Sequence, residues 1–122
     1  MILGFKKQFV QPIMEGTKIH SIREDKHRRW KAEMKIHFAT GVRTKNYNQF
    51  KQAVCVSIQE IEIIRKSDYL NETVVKIDSV QLTEKQVQML AWNDGFENLI
   101  DFWTWFSEDF KGVIIHWTDF NY

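Results

Sequence analysis

Residues 54–63 read Val54-Cys55-Val56-Ser57-Ile58-Gln59-Glu60-Ile61-Glu62-Ile63. Val54, Val56 and Ile58 repeat at every second position, the pattern of a half-buried strand. Ile61 and Ile63 continue the alternation on the opposite parity. Successive side chains of a strand point to opposite faces, so one strand through this stretch needs a β-bulge or bend near Gln59-Glu60. Strands closing into small barrels often bend in this way. On this parity Cys55 faces away from Val54 and Val56 as a small buried or semi-buried side chain.

Outward from this stretch, Met34-Lys35-Ile36-His37-Phe38 alternates cleanly, and Val75 and Ile77 continue the β pattern. Val113-Ile114-Ile115-His116-Trp117 is apolar on both faces and predicts a buried final strand. Thr83 and Gln86 have capping-box spacing, and the helix they open should stop before Gly95. Leu99, Trp103, Phe106 and Phe110 share one helical face, with Asn98 as cap and Asp101 in the first turn, so a helix is expected over 97–110. A shorter helix carries Phe9, Val10, Ile13 and Met14 into Gly16, with Pro12 in its first turn or at a kink. The expectation is a β-rich α+β domain, with helices packed outside a small curved sheet or barrel.

The chain has 122 residues, 43% of them hydrophobic, and neither an internal repeat nor a Pro/Gly/Ser-rich linker. One domain spanning 1–122 fits that length. Nine Phe and five Trp let a small chain build a sizeable core. The lone Cys55 cannot form an internal disulfide, MILGFKKQFV holds no signal-peptide run, and no segment is apolar enough to span a bilayer. A soluble, reduced, cytoplasmic protein without a membrane partner is expected.

The formal net charge of +1 conceals a division along the chain. Residues 1–66 carry fourteen Lys and Arg against six acids, whereas residues 67–122 carry three against ten. The densest basic run, Arg23 to Lys31, holds Lys26, Arg28, Arg29 and Lys31 around Trp30, with Arg43 and Lys45 following Gly41. Such a face attracts phosphates, and Trp30 and Tyr47 offer rings on which bases stack. The alternative is that the two halves neutralise each other through surface ion pairs. The acidic C-terminal helices are in turn a candidate docking surface for a protein partner.

Gly16-Thr17-Lys18-Ile19-His20-Ser21-Ile22-Arg23 is the most specific segment. It resembles the G-x-K-x-x-[ST]-I-R signature of ASCH domains, members of the PUA-like superfamily. Trp30-Lys31-Ala32, Thr40-Gly41-Val42-Arg43-Thr44, Leu90-Ala91-Trp92-Asn93-Asp94-Gly95-Phe96 and Ile115-His116-Trp117 match the family in order, so the resemblance covers essentially the whole chain. It implies a small PUA-like β-barrel of five to six strands with two or three flanking helices. It also implies a cleft for RNA or a nucleotide-like ligand, framed here by Lys18, Arg23 and the basic loops.

One small bacterial branch of the family hydrolyses the amide of N4-acetylated cytidine with a Lys, a Thr three residues later and a distant Glu. The positions here resembling that group are Lys18, Ser21 and Asp94, with Ser for Thr and the shorter Asp for Glu. On an extended strand Lys18 and Ser21 would face opposite ways, so their cooperation requires a turn over 16–21. A desolvated Lys18 would serve as base, Ser21 as nucleophile, and Asp94 would orient the lysine or handle the leaving-group proton. The same residues also fit an ion pair and a turn hydroxyl. Arg23 fits a phosphate clamp or a salt bridge to Glu24, Asp25 or a C-terminal acid. Glu33 stands where relatives often carry Gly, at a cost of about 1 kcal/mol if that turn needs positive φ.

Other chemistries find no pattern. His20, His27, His37 and His116 lack metal-ligand spacing, and neither a phosphate-binding P-loop nor a G-x-G-x-x-G is present, so no metal or cofactor is expected.

Overall fold

The computed structural model describes residues 1–66 and 73–122. It is an α+β fold with two sheets. One sheet has the order β1 (Ile2–Gly4), β3 (Lys35–Thr40), β4 (Asn48–Val54), with β1 parallel and β4 antiparallel to β3. The other is wholly antiparallel, in the order β2 (His20–Arg23), β8 (Phe110–His116), β5 (Ser57–Arg65), β6 (Thr73–Ile77), β7 (Val80–Gln81). Among the described residues these eight strands do not close into one hydrogen-bonded barrel, and they exceed the five or six expected.

The phase change in residues 54–63 is resolved differently from expectation. Pairing of β5 with β8 runs in unbroken register from Ser57 to Ile63, so there is no bulge at Gln59-Glu60. Instead the chain leaves one sheet and enters the other at Cys55-Val56. Cys55 N–H donates to Met34 O at 2.8 Å, still beside β3, and Val56 N–H donates to His116 O at 2.8 Å, already beside β8. This corner buries Cys55 and leaves Val54 and Val56 50% and 42% exposed, the reverse of the expected faces for the two valines. The register shift lies in the other sheet, between Phe38 and Ala39. The final strand meets its expectation: β8 lies between β2 and β5 and buries Ile114, Ile115 and His116.

Local signals set the helices. Helix α1 (Val10–Glu15) holds Pro12 in its first turn and ends at Gly16, whose φ of 85° is cheap only without a Cβ. Helix α2 (Glu84–Asn93) opens on a complete Thr83/Gln86 capping box. Helix α3 (Leu99–Trp105) is capped by Asn98, which accepts from Asp101 N–H, but it is shorter than 97–110. Arg65 of β5 ends it: its Nη1 donates to Trp103 O and Phe106 O at 3.2 and 2.7 Å, taking carbonyls a longer helix would have used. Phe110 therefore opens β8. The core is one cluster between the sheets and helices, with Phe9, Phe96 and Phe102 joining α1 and α3. No helix among the described residues is long and apolar enough to cross a membrane.

Candidate functional site

Lys18 reaches its place through two local devices. Gly16 reverses the chain after α1, and the N–H groups of Thr17 and Lys18 both donate to Pro12 O at 3.0 Å. Ile19 N–H then donates to Asn93 O at 2.9 Å, tying the segment to the end of α2. This irregular turn precedes β2, so Lys18 escapes the strand alternation that would have separated it from Ser21.

Asp94 caps α2 in a Schellman arrangement: Phe96 N–H donates to Ala91 O and Gly95 N–H to Trp92 O, both at 3.0 Å. Gly95 is needed twice. Its φ is 95°, and a Cβ there would stand 2.8 Å from Lys18 Cδ. The lysine stem thus passes over the glycine to the helix C-terminus, where an ammonium is favoured by the dipole. Lys18 Nζ donates to Asp94 O at 2.6 Å and to Asp94 Oδ1 at 3.2 Å.

The pair is deeply buried, Lys18 at 2% exposure and Asp94 at 4%. Desolvation pushes the Lys18 pKa below its ordinary value, and the attraction of Asp94 opposes that shift only in part. The rings of Phe9 and Phe5 lie 4.9 and 5.7 Å from Nζ. Arg23 neither pairs with Glu24 or Asp25 nor forms any other ion pair among the described residues. It stacks on Phe5 at 4.9 Å, donates through Nη2 to Gly4 O, and donates through Nε to Ser21 Oγ at 2.9 Å. Ser21 is therefore no free turn hydroxyl. Its oxygen accepts from a guanidinium, and its own proton remains available to another acceptor.

These groups line one cavity of about 380 Å³, with Lys18, Ser21, Arg23 and Asp94 on its polar side and Phe5, Phe9, Phe96 and Trp105 on its aromatic side. Trp105 is 45% exposed at the rim, unlike the buried Trp103 and Phe106 beside it in sequence.

The basic loops lie elsewhere. Lys26, Arg28 and Trp30 line a second cavity of about 650 Å³ against Ile58, Glu60, Lys76 and Lys111, while Lys26, Arg29 and Trp30 border a third beside Met1 and Ile2. Lys31, Arg43 and Lys45 are exposed and line neither of these nor the Lys18 cavity. The loop's own acid, Asp25, is occupied by backbone: its carboxylate accepts from Arg29 N–H at 2.8 Å and Trp30 N–H at 3.0 Å. Surface pairing between the two halves is sparse, since the one exposed ion pair among the described residues is Lys111 with Glu62 at 3.6 Å. Arg28 and Arg43 have positive φ, 51° and 64°, as does Glu33 at 75°. The turn at Glu33 adopts a conformation that a glycine would favour.

Three further residues at the site, His20, Asn93 and Tyr122, had no role assigned from the sequence. His20 Nδ1 lies 3.2 Å from Asp94 Oδ1, and His20 Nε2 lies 2.6 Å from the Tyr122 hydroxyl. Asn93 Nδ2 donates to that hydroxyl at 3.1 Å. The available signal was a polar residue, His20, opening a strand whose first three residues are buried, opposite another, His116. No group of three metal-ligating side chains occurs among the described residues. Comparisons of the chain with protein-family models, curated proteins and solved structures return no match.

Proposed function

We propose that the chain is an ASCH-type domain, its two sheets the halves of a PUA-like barrel, and that the Lys18 cavity binds RNA through one nucleotide or binds a free nucleotide-like ligand. The observation that carries this reading is the meeting of Lys18, Ser21, Arg23 and Asp94 in one cavity walled by aromatic rings. Rings of this kind stack on a planar base, and the volume falls within the range of small-ligand sites. The exposed Lys26, Arg28, Arg29 and Lys31 would take phosphates of a flanking strand.

The test is binding of single-stranded oligoribonucleotides and of cytidine monophosphate at low and high salt. Affinity should fall with salt and with Arg28→Ala/Arg29→Ala, while Lys18→Ala should remove the mononucleotide. No affinity for either ligand at low salt rejects the reading.

A second reading, hydrolysis of an N4-acylated cytidine, is favoured by the burial of Lys18. A lysine whose ammonium is desolvated releases its proton closer to neutrality. In this reading Lys18 takes the Ser21 hydroxyl proton as Oγ attacks the acyl carbon, and the proton then passes to the departing amine. Water would complete the cycle by releasing the acyl group as an acid. Turnover of N4-acetylcytidine that is lost in Lys18→Ala is the expected result, and none at high enzyme concentration rejects this substrate.

A further inference from the structure

We propose that His20 is a positioning residue of the Lys18 site: Tyr122 holds it in one tautomer, and it orients the Asp94 carboxylate toward Lys18. The inference rests on the Lys18 cavity being the ligand site.

The direction of each hydrogen bond follows from the groups involved. Asp94 Oδ1 accepts from Lys18 Nζ, and a carboxylate has no proton to give, so His20 Nδ1 must be the donor across its 3.2 Å contact. The neutral ring then has a bare Nε2, which accepts the Tyr122 O–H at 2.6 Å. The Tyr122 oxygen, its proton spent, accepts from Asn93 Nδ2 at 3.1 Å. The chain from Asn93 through Tyr122 and His20 to Asp94 has one consistent polarity, and reversing it would leave His20 facing the carboxylate with a lone pair.

A second set of hydrogen bonds seats the tyrosine independently. Gln59, buried in β5, accepts through Oε1 from Tyr122 N–H and His116 Nε2, both at 2.9 Å. Its Nε2 donates to Tyr122 O and Asp78 Oδ2, both at 3.0 Å. The charged and titratable groups around the chain are few. Lys18 faces Asp94 from the end of α2 and Arg23 from β2. His20 faces Asp94, Lys18, the His116 ring at 5.3 Å and Tyr122.

Removing the His20 donor leaves the Asp94 charge to Lys18 alone, which favours the ammonium form of the lysine. The test is NMR of the intact chain. The ring-nitrogen spectrum of the wild type should report the Nδ1–H tautomer, and the Tyr122→Phe variant a mixture. The Lys18 titration, followed at its ε carbon, should move up by about one pH unit in His20→Leu. It should stay near the wild-type midpoint in His20→Asn, whose amide keeps a donor near the Nδ1 position.

An Nε2–H ring in the wild type overturns the proposal, and so does an equal Lys18 midpoint in the wild type and both His20 variants. If His20→Leu does not fold, the wild-type and Tyr122→Phe spectra decide the question. None of these readouts needs turnover or bound ligand. A chain that binds no nucleotide and hydrolyses no N4-acetylcytidine, yet shows these shifts, defeats the proposed function and leaves the positioning of Asp94 standing.

Discussion

The Lys18 cavity and the loop from Asp25 to Lys31 are both rich in charge, yet the chain treats them in opposite ways. Lys18 and Asp94 are almost wholly buried and are hydrogen-bonded to each other, with His20 on the same carboxylate oxygen. Arg28, Arg29 and Lys31 are exposed, and no ion pair among the described residues involves them. A buried charge is costly unless paired and hydrogen-bonded, whereas a solvated one costs little and remains free to meet an anion. The contrast separates a group of fixed geometry from a surface whose charges stay in solvent.

The largest expected effect tests the buried side. Asp94→Ala strands the Lys18 ammonium and should cost about 3 kcal/mol of folding stability in urea denaturation. Adding Lys18→Met removes the second charge and should recover much of that stability. A single-variant cost under about 1 kcal/mol would put the pair in the same class as exposed ion pairs and break the contrast.

A smaller effect should come from pH. Burial lowers the His116 pKa to about 4 from 6.5, with His20 adding in the same direction, and burial likewise lowers that of His20. The unfolded chain therefore binds more protons between these values than the folded one. The stabilisation is complete above about pH 6.5 and is lost as pH falls through about 4. The expected decrease for His116 is of order 2 kcal/mol, and the same titration in His116→Leu should be shallower. A wild-type profile no steeper than that of the variant contradicts the neutral buried ring.

Glu33→Gly should raise stability by about 1 kcal/mol, because φ at this position is positive. A lowered thermal midpoint would mean that the Glu33 side chain contributes more than its backbone costs. The smallest stability effect belongs to the basic loop: Arg28→Ala/Arg29→Ala should stay within about 0.5 kcal/mol. In the same variant the salt slope of oligonucleotide binding should fall by about one for each phosphate that is no longer neutralised. A large drop in stability with an unchanged salt slope would invert the assignment of the two regions.

Much of the fold was legible because the signals were local. Thr83, Gln86, Asn98 and Gly16 act within one turn of chain, and each stands where its capping chemistry requires. The long phase change was legible only as an anomaly. Alternation reports that a strand changes faces, and the same pattern fits a bulge within one sheet or a corner between two. The length of α3 was not legible, because the group that ends it is Arg65, on a distant strand.

The site divides in the same manner. Lys18, Ser21 and Arg23 stood out as a motif in eight consecutive residues, and Asp94 only through a resemblance to a family's turn. His20 stood in that motif without a role, because its partner carboxylate and hydroxyl come from residues 94 and 122.

By itself the sequence determined the helix caps, the buried final strand, the concentration of positive charge in residues 1–66 and the motif that carries Lys18. Tertiary structure alone decided that the strands form two sheets, that Ser21 belongs to Arg23, and that Asp94 serves Lys18 and His20 together. The physical reason is range. Caps and alternation act over a few residues, whereas desolvation and hydrogen-bond direction depend on which distant segments exclude water from the same few ångströms.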